Sequence, residues 1–172
     1  VVDWQSIVAE HGPAVWRAVY RLVSHREDAL DCYQETFLRA AQYARQHTVS
    51  NWAGLLRQTA TARALDCLRR RYRAAKQMAP LEAAAETAHA GPSPDVRAEL
   101  QEAMDRLRRA LTELPTQQSE VFCLRELELM STADVARLMN VTPDDVATWL
   151  HRAKRKLRGA LTEEEKRSEV QR

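Results

Sequence analysis

The sequence predicts an all-α protein: two small helical domains joined by a flexible linker. Apolar residues recur at three- and four-residue steps over most of the 172 positions, and there are only four glycines, which leaves little room for turn-rich β-structure. Between the two periodic blocks, MAPLEAAAETAHAGPSPDV gathers Pro80, Gly91, Pro92 and Pro94 among alanines and acids, a composition that breaks regular structure. The net charge of +2 also divides along the chain. Residues 1–75 carry eleven Arg and Lys against seven acids, 76–104 carry two against five, and 105–161 carry ten against eight, so two mildly basic blocks flank an acidic connector. The expected organisation is a first domain over 1–77, a linker over 78–104, a second domain over 105–161 and a charged tail over 162–172.

In the first domain, Asp3 can cap a short helix reaching His11, Gly12 and Pro13 interrupt it, and Ala14 to Val23 continue with Val15, Val19, Leu22 and Val23 as a core side. Ser24 and Glu27 have the spacing of a capping box. The helix they would open turns Ala29, Cys32, Tyr33, Thr36, Phe37 and Ala40 inward and leaves Asp28, Asp31, Gln34, Glu35 and Leu38 outward. By periodicity alone that outer face is an ordinary solvated surface with one stray leucine. After a loop over 46–50, a third helix from about Asn51 to Tyr72 draws its core from Trp52, Leu55, Leu56, Leu65 and Leu68. Its end gathers Arg63, Arg69, Arg70, Arg71, Arg73 and Lys76 around Tyr72. These are more cations than a helix C-terminus needs, and they suit a nucleic-acid or polymerase surface.

The second domain is the more explicit. Ser131 and Asp134 have capping-box spacing ahead of a short helix carrying Val135, Leu138 and Met139, which ends at Asn140. Thr142 then caps a second helix, Pro143 occupies its first turn, and Asp144 and Asp145 sit at the positive end of its dipole. Val146, Leu150, Ala153 and Leu157 form its buried stripe, leaving Asp145, Thr148, His151, Arg152 and Arg155 on the outer face. Two capped helices joined by a short turn, the second ending in HRAKRKLR, form a helix-turn-helix with a recognition helix for the major groove. Arg152, Lys154, Arg155, Lys156 and Arg158 suit phosphate contacts.

Several function classes drop away. No apolar run nears the ~20 residues that cross a bilayer, and no signal-peptide pattern opens the chain, so a cytoplasmic protein without membrane insertion is expected. Cys32, Cys67 and Cys123 are far apart in sequence and set among helical apolar residues, which suits buried thiols without a disulfide. None has a His or Cys neighbour at zinc-ligand spacing, so neither a metal nor a cofactor is expected. There is no phosphate loop and no paired nucleophile and base, so the chain does not read as an enzyme.

REDALDCYQETFLRA, WAGLLRQTATARALDCLRRR and LTELPTQQSEVFCLRELELMSTADVARLMNVTPDDVATWLHRAKRKLRGAL together resemble a bacterial RNA polymerase sigma factor of the extracytoplasmic-function (ECF) class. The resemblance covers nearly the whole chain except the linker and tail. Its specific parts are Asp31, Gln34, Glu35, Thr36 and Phe37, and the ELP-x-x-x-x-x-VF-x-LRELE run. It implies that Asp31, Gln34, Glu35 and Leu38 dock on the clamp helices of core RNA polymerase. It implies that His47, Asn51, Arg63, Arg69, Arg70 and Arg71 meet the proximal promoter element, where a base of the opened strand is captured. Asp145, Thr148, His151, Arg152, Lys154 and Arg155 are then the readers of the distal element, and an anti-sigma factor or other regulator is an expected further partner. The alternative is a helix-turn-helix regulator acting on duplex DNA without polymerase. Two departures from the family pattern stand out. Ala62 replaces a usual Asn in the strand-opening helix, and Asp144-Asp145-Val146-Ala147-Thr148-Trp149 replaces a more basic Gly-Thr-Val-Lys-Ser-Arg, where Trp149 is open to a sugar or methyl contact, to a regulator, or, the reading ranked first, to packing against its own domain.

Overall fold

The computed structural model describes residues 2–77 and 94–170, the side chains at 94–96 and 163–170 excepted. Among the described residues every regular element is helical. The first domain comprises α1 (Trp4–Val23), α2 (Arg26–Ala44) and α3 (Trp52–Gln77); the second comprises α4 (Pro94–Thr112), α5 (Thr116–Phe122), a π-helical turn (Cys123–Leu127), α6 (Thr132–Met139) and α7 (Pro143–Val170). No helix among the described residues is long and apolar enough to cross a membrane.

Asp3 caps α1 as expected, accepting from the Ser6 N–H at 3.1 Å. The expected break at Gly12 and Pro13 is absent, and α1 runs through both. Proline inside a helix removes a backbone hydrogen bond and crowds the preceding turn, a cost of about 3 kcal/mol in isolation. Tertiary packing outweighs it here, because Ile7, Val15, Val19, Leu22 and Val23 of the one continuous helix are all buried. Gly12 contributes by staying small: a Cβ there would lie 2.7 Å from the Tyr33 hydroxyl.

The Ser24–Glu27 capping box is also corrected. Ser24 ends α1 in the left-handed region (φ 59°), its N–H donating to the Tyr20 carbonyl, and the N-cap of α2 is His25, which makes no side-chain capping bond. Chain reversal after α1 therefore takes Ser24 for a C-cap, and α2 relies on Glu27 and Asp28 at its positive end. In α3, Asn51 supplies the cap by accepting from the Gly54 N–H at 2.9 Å. Trp52 packs edge-on against Trp4 with ring centroids 5.2 Å apart.

Both capped helices of the second domain form as predicted. The Ser131 hydroxyl accepts from the Asp134 N–H at 3.0 Å, and Asn140 closes α6 in the left-handed region. Val121, Leu124, Met130, Val135, Ala136 and Val146 make its core, with Trp149 and Leu150 packed against it. Two boundaries move. Residues 94–104, read as linker, belong to α4, and 162–170, read as tail, extend α7; residues 78–93 lie outside the described residues.

The two domains are packed together rather than merely tethered. Buried Leu111, Leu114, Cys123, Ala153 and Leu157 join one apolar cluster with the core of α1, α2 and α3. Arg108, whose side chain is 7% exposed, donates from Nε and Nη2 to the Arg21 carbonyl at 3.3 and 2.7 Å and pairs with Asp105 at 2.6 Å. Arg21 in turn donates to the Leu127 carbonyl. A buried guanidinium with carbonyl and carboxylate acceptors is satisfied only while both domains stay in place.

Leu129 is the least comfortable residue of the fold, with φ 54° and 82% exposure. A branched L-residue in the left-handed region costs about 1 kcal/mol or more, and this side chain regains little by packing. Leu129→Gly should raise stability by about 0.5–1 kcal/mol, seen as a melting temperature roughly 2–4 °C higher in a thermal denaturation scan.

Candidate docking face and nucleic-acid interface

The outer face of α2 forms one wall of a cleft of about 680 Å³. Asp31, Gln34, Glu35 and Leu38 line it from α2, Arg63, Asp66, Arg70 and Arg73 line it from α3, and the Cys32 and Cys67 thiols lie at its floor. Leu38 is 59% exposed, a large apolar side chain left in water beside charged neighbours. Glu35 is braced by Arg39, with Nε to Oε1 at 2.6 Å. The structure thus sets the proposed docking residues opposite two of the proposed DNA residues, Arg63 and Arg70.

Three of the proposed DNA-contacting cations of α3 have partners within the chain. Arg63 pairs with Asp66 at 2.8 Å. Arg69 donates to the Ser119 hydroxyl at 2.6 Å across the domain boundary and lies 3.6 Å from Asp66. Arg71 donates to the Val23 carbonyl at 3.0 Å and lies 3.7 Å from Asp28. Sequence reading missed these partners because Ser119 and Val23 lie 50 and 48 residues away.

A second cleft, about 560 Å³, runs beside the loop before α3 and is lined by Tyr43, Thr48, Ser50, Asn51, Gln58 and Thr59, with Ala62 and Arg63 at one end. Asn51 reaches it as expected. His47 does not line it, but stacks on Tyr43 with centroids 4.2 Å apart and planes 14° from parallel. Tyr43, Gln58 and Thr59 were not singled out from the sequence; the one available signal was Tyr43 one turn before His47. Glu120, Arg137 and Leu138 of the second domain form the far wall. Burial pushes the Glu120 carboxyl above its ordinary value, with Arg69 opposing the rise.

On α7, Thr148, His151, Arg152 and Arg155 are exposed along one face, and Val146, Ala153 and Leu157 are buried along the other. Leu150 of the expected buried stripe is half-buried. Lys154 departs from the expected reading face: its ammonium lies 2.9 Å from Glu126 of the π-helical turn. Asp145 is engaged too. Its Oδ2 accepts from the Thr142 hydroxyl at 2.6 Å and the Thr142 N–H at 3.1 Å, while its own N–H donates to the Thr142 hydroxyl at 3.1 Å. That reciprocal box fixes the start of α7.

Residues 7–74 match the family described as Sigma-70 region 2, and residues 104–157 match Sigma-70, region 4. Together the two matches span most of the chain, which belongs to the sigma-70 family. The ECF RNA polymerase sigma factor SigE of Mycolicibacterium smegmatis is 28% identical over 159 residues, covering 92% of this chain and 62% of that relative. The chain therefore spans less than two thirds of the length of this curated relative. In fold it is similar to the sigma factor RpoE of Bartonella quintana, solved in complex with the anti-sigma factor NepR, with a TM-score of 0.59, 21% identity, and coverage of 94% of this chain and 98% of that one. The region 2 match contains both clefts' α2 and α3 walls, and the region 4 match contains the helix-turn-helix of this sigma factor.

The Thr142–Asp145 box has a pH signature. Hydrogen bonds from the Thr142 side chain, then its backbone, hold the Asp145 carboxyl below the ordinary 3.8. A carboxylate with a lowered folded-state value stabilises the fold above its unfolded value, and that contribution is lost as pH falls through the lower folded one. In an NMR titration the Asp145 carboxyl should show a midpoint below 3.8, and Thr142→Ala should move it up toward 3.8.

Proposed function

We propose that this sigma factor is a non-catalytic transcription initiation subunit acting in the cytoplasm. It binds core RNA polymerase, directs it to a set of promoters and assists strand opening. The observation that carries the reading is the α2 face, where Asp31, Gln34 and Leu38 are exposed and Glu35 is half-buried beside the α3 arginines. A regulator acting on duplex DNA alone has no use for an acidic, leucine-bearing surface next to its basic helix, because acids there repel phosphates.

Core polymerase docks on Asp31, Gln34, Glu35 and Leu38, with the leucine as apolar anchor and the polar groups setting register. The proximal promoter element runs along the second cleft, where Asn51, Gln58 and Thr59 offer hydrogen-bonding groups to an unstacked base and the Tyr43–His47 stack offers an aromatic platform. Arg70, Arg71 and Arg69 follow the backbone, with Arg63 at the junction of the two clefts. The distal element is read by Thr148, His151, Arg152 and Arg155 in the major groove. Entry of a strand into the second cleft requires the wall formed by Glu120, Arg137 and Leu138 to withdraw, and Arg69 then exchanges Ser119 for phosphate. An anti-sigma factor, the kind of partner with which that RpoE was solved, is a further expected partner of this chain.

Two experiments test the reading. Gln34→Ala/Glu35→Ala should weaken core-polymerase capture at least about tenfold in a pull-down while leaving duplex DNA binding unchanged, since the Glu35–Arg39 pair that is lost is a surface one. Equal capture by the double variant would instead favour the stand-alone regulator. Arg152→Ala/Arg155→Ala should weaken promoter binding across sequences and flatten its log–log salt dependence by about two.

A further inference from the structure

Two of the three cysteines come together in the fold. Cys32 of α2 and Cys67 of α3 are 5% and 6% exposed, and both line the floor of the 680 Å³ cleft, so they are covered by protein on one side and reachable by a small solute on the other. The Cys32 thiol donates to the Arg63 carbonyl at 3.7 Å, one turn before Cys67 on α3, and Cys67 lines the same cleft.

The seam between the two helices is made of small residues. Every buried residue of α2 is small: Ala29, Cys32, Thr36 and Ala40, at steps of three, four and four. Ala60, Ala64 and Cys67 repeat the pattern on α3. Interaxial distance follows the size of the side chains at the contact, about 8–10 Å in general, so small residues on both sides draw the backbones to the near end of that range. A disulfide needs its Cα atoms roughly 4.4–6.8 Å apart, a separation that such a seam favours.

We propose that Cys32 and Cys67 form a hydroperoxide-sensitive dithiol whose disulfide locks α2 onto α3 directly beneath the docking face. Cys67 is the attacking sulfur. The neighbouring Cys32 thiol, helped by the guanidinium groups of Arg70 and Arg71 and opposed by burial and Asp28, holds the Cys67 thiol below the ordinary value, which favours the reactive thiolate. The Cys67 thiolate attacks one oxygen of the hydroperoxide, the O–O bond breaks, and hydroxide (from hydrogen peroxide) or alkoxide leaves. The product is Cys67 sulfenic acid. The Cys32 sulfur then attacks the sulfenic sulfur, its proton goes to the departing hydroxyl, and water leaves as the S–S bond forms. Two thiols are oxidised and one peroxide is reduced. Cys123 provides an internal control: it is 1% exposed, lines neither cleft, and burial pushes its thiol well up. A reversible disulfide of this kind suits a reducing compartment, where such bonds serve as transient sensors.

The chemistry does not depend on the polymerase-docking reading, and its test needs no polymerase. The reduced full-length protein is treated with stoichiometric hydrogen peroxide, denatured, alkylated and mapped by mass spectrometry. The expected result is loss of two alkylatable thiols, an intramolecular Cys32–Cys67 linked peptide, an alkylated Cys123, and a melting temperature raised by about 5 °C that dithiothreitol reverses. In Cys32→Ser, Cys67 should stop at the sulfenic acid and be trapped by dimedone, whereas Cys67→Ser should leave Cys32 alkylatable. Three intact thiols after treatment, linkage between chains only, or sulfinic acid at Cys67 beside a free Cys32 in the wild-type protein would each overturn the proposal. Because the wild-type map decides the matter, it does not depend on either variant folding well.

Discussion

Everything in this fold depends on α3 being covered along its length by two different sets of neighbours. Its stripe of Leu56, Ala60, Ala64, Leu65 and Leu68 is fully buried in the core shared with α1 and α2. Arg69, just beyond Leu68, bonds to Ser119, and Lys76 at its end pairs with Glu113 of the second domain. A helix of 26 residues exceeds what a three-helix domain needs to close its core, and the excess carries the cations. The same rod therefore serves as hydrophobic centre for one domain and as charged contact for the other. Its cleft-facing side lies opposite the proposed docking face of α2, so that face is positioned by the core itself rather than by loops.

Small residues along the α2–α3 seam add a second consequence. With alanines, a threonine and two cysteines at the contact, the two helices are held by close backbone approach and by dispersion rather than by long interdigitating side chains. Thr36 can sit in that seam at 0% exposure because its hydroxyl donates to the Cys32 carbonyl at 2.7 Å, leaving no unmet polar group. Large aromatics are displaced to the other flank of α2, where Tyr33 meets Trp16 and Phe37 edge-on. The outer face of α2 is thus rigidly referred to α3, and its polar groups can define a register for a partner.

How much of this was legible in the sequence follows from the range of each interaction. Asp3, Ser131 and Thr142 were readable as caps because each bonds a group three residues away. The buried stripes of α2 and α7 were readable because periodicity encodes them locally, with Tyr33, Phe37 and Leu150 half-buried among them. Pro13 was misread because its local cost is real and the compensation comes from packing elsewhere along α1 and onto α2. Ser24 was misread because the same residue type serves as N-cap or C-cap, and the turn geometry decides which. The partners of Arg69, Arg71 and Lys154 were out of reach, since nothing local to an arginine or lysine says whether a carbonyl, a hydroxyl or a distant carboxylate will claim it. The resemblance to ECF sigma factors supplied the meaning of the α2 face, which periodicity alone ranks as ordinary surface.

The contact between the domains combines terms of opposite sign. Apolar burial of Leu111, Leu114, Cys123, Ala153 and Leu157 in the common core and the buried Arg108 bonds favour it. Lys76 and Glu113 are largely exposed, so their pair adds little. Glu120 works against it. Burial raises its carboxyl value, with Arg69 opposing the rise. A group with a raised folded-state value contributes its stabilisation below the unfolded value and loses it as pH rises through the folded one, so this carboxyl opposes the packed arrangement at neutral pH. Glu120 lies on the wall that narrows the second cleft, beside Arg63 and Arg69. Withdrawal of that wall would return the carboxylate to water and release Arg69 from Ser119 in one movement. On the proposed reading of this cleft as the path of a nucleic-acid strand, DNA that recruits the arginines offsets part of the cost of opening it.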